Sequence, residues 1–197
     1  MSVQIFGHKS PDTDSTGSPI IWAWYLNEIK GIPAEAKLLG EPNTEAAFVL
    51  KRWNLQKPSL LGELTSNTPV IIVDTNNPAE LPENINSADI HSIIDHHKLT
   101  GGLETKGPID ITLRPLACTA TIMHDLMGDD AAKMPEAIKG AALFVVDILR
   151  EEATLLVPNE LVKNVAAKSF STAATGDTVV IPGLMSRKKQ IIPNLTL

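Results

Sequence analysis

Short apolar runs, each followed at once by a polar, turn-forming stretch, recur along the first half of the chain. Val3-Gln4-Ile5-Phe6, Val70-Ile71-Ile72-Val73 and Ser92-Ile93-Ile94 are three of them. Runs of this length, bounded by Gly, Pro, Asn or Asp, read as buried strands. Between them lie longer segments of helical character. Ser15 or Thr16 can cap a helix with Pro19 in its first turn and Ile20 to Ile29 as its body, ended by Gly31-Ile32-Pro33. Ala34 to Leu39 reads as a second strand. Asn43 can cap a helix from Thr44 to about Trp53, with Ala47, Val49, Leu50 and Trp53 available for burial. Ile109 to Leu113 reads as a further strand and Cys118 to Met127 as a helix ended by Gly128. Another helix begins near Pro135. Strands alternating with helices predict an α/β fold: a parallel sheet with helices on both faces.

The pattern changes after Ala137. Ala137 to Leu143 reads as helix and Phe144 to Leu149 as buried strand, with no Gly, Pro or cap between them. Asn159 to Phe170 reads as a helix and Thr178 to Ile181 as a strand. Pro182-Gly183 is a turn, and the basic run Ser186-Arg187-Lys188-Lys189-Gln190 follows. The expected organisation is a domain over 1–143 and a small α/β lobe over 144–197.

Composition narrows the class. With 43% apolar residues over 197 positions, the chain can bury a core. A net charge of −6 argues against a general nucleic-acid binder, which would present a basic patch. No apolar run approaches a membrane span, and the first residues lack the features of a secretory leader, so a cytoplasmic protein without membrane attachment is expected. A single cysteine, Cys118, excludes an internal disulfide framework and is expected to pack as a small apolar side chain.

Candidate chemistry sits where the strands end. His8, Asp12 and Asp14 follow the first run, Asp74 follows Val73, and Asp95-His96-His97 follows Ile94. In an open parallel sheet those ends converge on one crevice. Singly, each group has an ordinary explanation: Asp12 and Asp14 as Asx-turn or cap residues, Asp74 as a strand exit, Arg187-Lys188 as a solvated charge run. Recurrence at three strand ends favours a site instead. Mixed imidazole and carboxylate ligands suit an ion such as Mn²⁺. Two such ions, roughly 3.5–4 Å apart, could clamp a phosphoryl group and activate water for in-line attack. Arg187 and Lys188 would then meet phosphate oxygens. His91 and His124 lack such context and are expected to be structural or exposed.

At IFGHKSPDTDS, IIVDTNN, IIDHHK, RPLACTATIM and SRKKQIIPNLT, the sequence resembles the DHH phosphoesterase superfamily, and within it the manganese-dependent, family II inorganic pyrophosphatases. The resemblance implies that His8 and Asp12 hold one metal, Asp14 and His96 the other, and that Asp74 bridges them. It implies a substrate-facing His97, an Asp95 that supports the histidines, and Arg187 and Lys188 on the phosphate that is not attacked. Inorganic pyrophosphate is the implied substrate, Mn²⁺ the implied cofactor with Co²⁺ or Mg²⁺ as substitutes, and a homodimer the implied assembly. Hydrolysis of short oligonucleotides or nucleotides, and metal and phosphate binding without turnover, are the alternatives. Two departures stand out. Thr75 replaces the histidine usual after the bridging aspartate. The segment around Leu143-Phe144 joins what resembles the end of an N-domain helix to what resembles a strand well inside the C-terminal domain. A metal-binding aspartate and a phosphate-binding lysine are expected between them in relatives. Asp147 is a displaced candidate for that aspartate, and reads better as a strand residue.

Overall fold

The computed structural model describes residues 1–140, with the strands Ala173–Thr175 and Thr178–Val180. The chain divides into two compact units, Met1–Ala142 and Leu143–Leu197.

In the first unit, β1 (Val3–Phe6), β2 (Ala34–Leu38), β3 (Ser59–Leu60), β4 (Pro69–Val73), β5 (Asp89–Asp95) and β6 (Asp110–Leu113) form one sheet in the order β3-β2-β1-β4-β5-β6. All five pairings are parallel. The strand order reverses between β1 and β4, which opens a crevice at their carboxyl ends. Phe6, Val70, Ile72, Ile90 and Ile93 form a core with Leu64, Leu81, Ile85 and Ala88 from the connecting segments. Alternation sends Ile5, Ile71 and Val73 to the opposite face.

Helices α1 (Thr13–Trp24), α2 (Thr44–Arg52) and α3 (Thr119–Met127) accompany the sheet. α1 packs on both α2 and α3. Its cap is Asp12, whose side chain accepts the Ser15 N–H at 3.0 Å, so the cap lies three residues before Ser15, the first of the two expected cap residues. Ser15 is thereby released for another contact: its hydroxyl accepts the His8 N–H at 2.8 Å. Gly7 makes this approach possible, since a Cβ there would fall on the Ser15 hydroxyl. After Trp24 the helix widens into a π-helical stretch, Tyr25–Lys30, and stops at Gly31 with φ +66°. α2 is capped by Asn43 as expected, but buries Ala46 in place of Ala47.

A register shift lies between Val70 and Ile71, so β5 pairs Ile90 and then Ser92, skipping His91. His91 therefore turns outward, where it meets Asp89 at 3.1 Å. His124 is exposed on α3, and Cys118 is buried just before it. Residues 136–140 are helical, in line with the helix expected near Pro135. In the second unit, β7 (Ala173–Thr175) and β8 (Thr178–Val180) pair antiparallel. The strand and helix read over 144–149 and 159–170 lie outside the described residues, as does the junction at Leu143-Phe144.

Candidate metal centre

β1, β4 and β5 deliver His8, Asp74 and His96 to the crevice at the reversal of strand order, and the start of α1 adds Asp12 and Asp14. Asp74 is the centre. It is 1% exposed and adopts φ +57°, a left-handed conformation that a non-glycine residue rarely takes. Its N–H remains on the Ile94 carbonyl at 3.0 Å, so the strained residue still belongs to the end of the sheet. Its Oδ2 lies 3.4 Å from His8 Nε2, and its Oδ1 lies 3.3 Å from His96 Nε2. His8 Nε2 is also 3.7 Å from Asp12 Oδ1, and His96 Nε2 is 3.7 Å from Asp14 Oδ2.

The second ring nitrogens explain why these atoms point inward. His96 Nδ1 lies 2.9 Å from the Leu116 carbonyl oxygen, which can only accept. A proton therefore sits on Nδ1, and in its neutral form the ring presents a lone pair at Nε2. His97 Nδ1 is bound at 2.7 Å to Asp95 Oδ1. That same oxygen accepts the backbone N–H groups of His96 and His97, at 2.7 and 3.1 Å. Asp95 is fully buried, and its other oxygen accepts from Asn76 Nδ2 at 2.6 Å. Outer partners of this kind fix the tautomer and orientation of metal-binding imidazoles.

Asp14 is held from farther away. Its Oδ2 accepts the Thr119 N–H at 2.7 Å and its Oδ1 the Ala120 N–H at 3.2 Å, the first free N–H groups of α3. Ser18 Oγ donates to Oδ1 at 2.8 Å. Cys118, the residue at the cap position of α3, makes no side-chain cap bond, so Asp14 serves in its stead.

The charges press on one another. Burial alone would lower the His8 imidazole, but the facing carboxylates of Asp12 and Asp74 outweigh it and push it up to about 10. His96 is raised as well, burial being outweighed by Asp74 and Asp14. Burial would raise Asp74, yet His8 and His96 hold it ionised, down to about 2. Asp14 takes the opposite course: burial and the neighbouring Asp74 charge drive it well above the usual carboxylate range. Burial also raises Asp95, and pushes the Cys118 thiol up to about 12.

These residues fit divalent metal. Asp74 Oδ2 is buried and no hydrogen bond satisfies it, because His8 Nε2 faces it at ion-pair distance without the alignment of a hydrogen bond. An orphaned carboxylate oxygen opposite an imidazole nitrogen is costly unless a cation lies between them. His8, Asp12 and Asp74 place ligand atoms within 4.8 Å of one another, and so do Asp74, His96 and His97. Asp74 belongs to both groups. His97 falls among the possible ligands by distance, its Nδ1 being 3.8 Å from Asp74 Oδ1, although that nitrogen is already engaged by Asp95. Asp14 falls outside both groups, its oxygens being turned to α3.

The structure therefore gathers His8, Asp12, Asp14, Asp74, Asp95, His96 and His97. Arg187, Lys188 and Asp147 lie outside the described residues. Thr75 turns its hydroxyl to Glu80 Oε2 at 2.6 Å and accepts the Asn77 N–H, so it shapes the turn after β4. The sequence reading missed Thr119, Asn76 and the Leu116 carbonyl. One signal was available for Thr119: cysteine is a poor helix cap, so α3 needed a partner from elsewhere.

Fold and site together define an α/β protein with a histidine–carboxylate cluster suited to divalent metal at the sheet's reversal point. The chain belongs to the DHH family: the profile of the DHH family, N-terminal domain, matches residues 2–157, and that of the DHHA2 domain matches residues 125–197. A "probable manganese-dependent inorganic pyrophosphatase" of Lactobacillus acidophilus is 32% identical over 143 residues, covering 72% of this chain and 45% of that protein. One of the same name from Deinococcus radiodurans is 40% identical over 122 residues, covering 62% and 38%. Among solved structures, a candidate family II inorganic pyrophosphatase of Methanococcus jannaschii superposes with a TM-score of 0.63 at 28% identity, covering 74% of this chain and 47% of that one. The chain thus spans less than half the length of these relatives. No helix among the described residues is long and apolar enough to cross a membrane.

Proposed function

We propose that this chain acts as a manganese-dependent inorganic pyrophosphatase, converting PPi and water to two phosphates. The observation that carries the reading is the Asp74 carboxylate, set between His8 and His96 with one buried oxygen that no donor satisfies. The names of the similar proteins supply the substrate class and the metal.

In this reading His8 and Asp12 hold one ion, His96 and Asp14 the other, and Asp74 both. When bound, the ions supply Lewis acidity that activates water and offsets phosphate charge. The residues of the chain do the rest. Leu116 holds the His96 proton on Nδ1, which keeps Nε2 available as a donor atom. Asp95 accepts the Nδ1–H of His97 and orients its ring, and in its imidazolium form His97 donates from Nε2 to a phosphate oxygen. Asp14, anchored on α3, cannot swing away as charge shifts during the reaction. Fixed dipoles and charges of this kind lower a barrier because they need no reorganisation at the moment of reaction. Arg187 and Lys188 meet the phosphate that is not attacked and stabilise it as it leaves. The working assembly is a homodimer.

The test is phosphate release from PPi by the purified chain with saturating Mn²⁺ or Mg²⁺, alongside a dinucleotide substrate. Release from PPi that is faster with Mn²⁺ supports the reading. Cleavage of the dinucleotide alone would replace it with an oligonucleotide phosphoesterase. Binding of two Mn²⁺ without any turnover would leave a metal- and phosphate-binding protein.

A further inference from the structure

Thr119 stands between the two carboxylates that the two-ion reading uses. Its N–H donates to Asp14 Oδ2 at 2.7 Å, and its hydroxyl donates to Asp74 Oδ1 at 3.3 Å. It is fully buried, as the first residue of α3. The Asp74 contact matters for a geometric reason. Rotation of a carboxylate about its last side-chain bond is soft, with broad wells. Asp74 can serve two ions only if that rotation keeps Oδ1 toward His96 and Oδ2 toward His8. Oδ2 has no hydrogen bond to hold it. Among the described residues, the Thr119 hydroxyl makes the one side-chain hydrogen bond drawn to Asp74 Oδ1, and it leaves that oxygen a further lone pair.

We infer that Thr119 is a positioning residue that fixes the Asp74 carboxylate in its bridging orientation. The inference rests on the two-ion reading of the site. A helix start is suited to this work: the backbone of α3 holds one carboxylate and the first side chain holds the other, so Asp14 and Asp74 are referred to one rigid element. Threonine at this place can supply both contacts. Valine keeps its shape and its N–H, and loses only the hydroxyl.

The experiment compares wild type with Thr119→Val, Thr119→Ala and Thr119→Ser. Mn²⁺ stoichiometry and affinity are read by calorimetry, and coupling between two bound Mn²⁺ ions by electron paramagnetic resonance. Thr119→Val and Thr119→Ala should weaken Mn²⁺ binding by about 10- to 100-fold, the usual cost of removing an outer partner of a metal ligand, and should lose the coupled-pair signal. Thr119→Ser should keep both. A hydroxyl-free variant that binds two coupled Mn²⁺ ions with unchanged affinity overturns the inference. So does a serine variant as impaired as valine, because the methyl group and its packing would then be responsible. Thermal unfolding without metal identifies damage to the fold, and if valine unfolds the helix, alanine and serine still decide. A wild-type chain that binds fewer than two Mn²⁺ ions refutes the two-ion reading itself, a result distinct from failure of Thr119 alone.

Discussion

The Asp14 carboxylate accepts the Thr119 N–H at 2.7 Å, across 105 residues of sequence. One side chain is therefore both a candidate metal ligand and the N-terminal cap of a distant helix. Helix starts carry positive partial charge and free N–H groups, so a carboxylate there is stabilised by both effects. The two roles can be separated by measuring stability without metal.

Asp14→Ala should destabilise the metal-free protein by roughly 1–3 kcal/mol, the cost of a lost cap together with buried N–H groups left unpaired. Urea unfolding in the presence of a chelator measures this. An unchanged midpoint would show that α3 does not depend on Asp14.

Asp74→Asn should do more harm to the metal centre than any other single change. It keeps the shape and removes the charge that both ions would share in the two-ion reading. Mn²⁺ affinity should fall at both sites together, by more than the roughly 100-fold upper range for outer-shell partners. Calorimetric titration of Mn²⁺ decides the matter, and two intact sites of unchanged affinity would remove Asp74 from its central role.

Metal uptake should release protons. His8 is raised from 6.5 to about 10 in the metal-free fold, so near neutral pH its ring carries a proton. A metal needs that ring neutral. Mn²⁺ affinity should therefore climb with pH, by about tenfold per unit for each proton displaced. The same shift has the opposite sign for the empty protein. It stabilises the fold fully below the unfolded value of 6.5, and that contribution is lost as pH rises through about 10. Calorimetry in two buffers of different ionisation enthalpy counts the protons. Affinity that stays flat between about pH 6.5 and about pH 8 would contradict the charge state assigned to His8.

Asn76→Ala should loosen His97. Asn76 donates to Asp95 Oδ2 and to the Lys98 carbonyl, and accepts from the Thr100 N–H and hydroxyl. It ties the turn after β4 to the loop after β5. Its loss should destabilise the protein by roughly 1–3 kcal/mol, through buried groups left unpaired. In the pyrophosphatase reading it should also raise KM for PPi with little effect on Mn²⁺ affinity. Steady-state kinetics beside a Mn²⁺ titration test this, and an unchanged KM would confine Asn76 to a structural part.

The sequence by itself determined the strands and the groups at their ends. Apolar runs such as Val70 to Val73 are local signals, and the residue that follows a buried strand must leave the sheet at its carboxyl edge. His8, Asp74 and His96 were placed on that ground alone, and the parallel α/β fold followed from the alternation of elements. On α2 it is Ala46 rather than Ala47 that is buried, at i, i+3 and i+4 with Val49 and Leu50 on one helix face, a spacing the sequence already held. Other features depended on how the elements dock. β3 is two exposed residues that pair with β2 and carry no pattern of their own. His91 is expelled by a register shift that arises only when β4 and β5 pair. Thr119, Leu116 and Asn76 belong to the site because each meets its partner across a long separation in sequence, at 45, 20 and 19 residues. Hydrogen bonds of this range form only after the chain has folded. Residue type and spacing disclose which side chains can bind a metal, and the tertiary structure alone decides which tautomer, rotamer and charge each one presents.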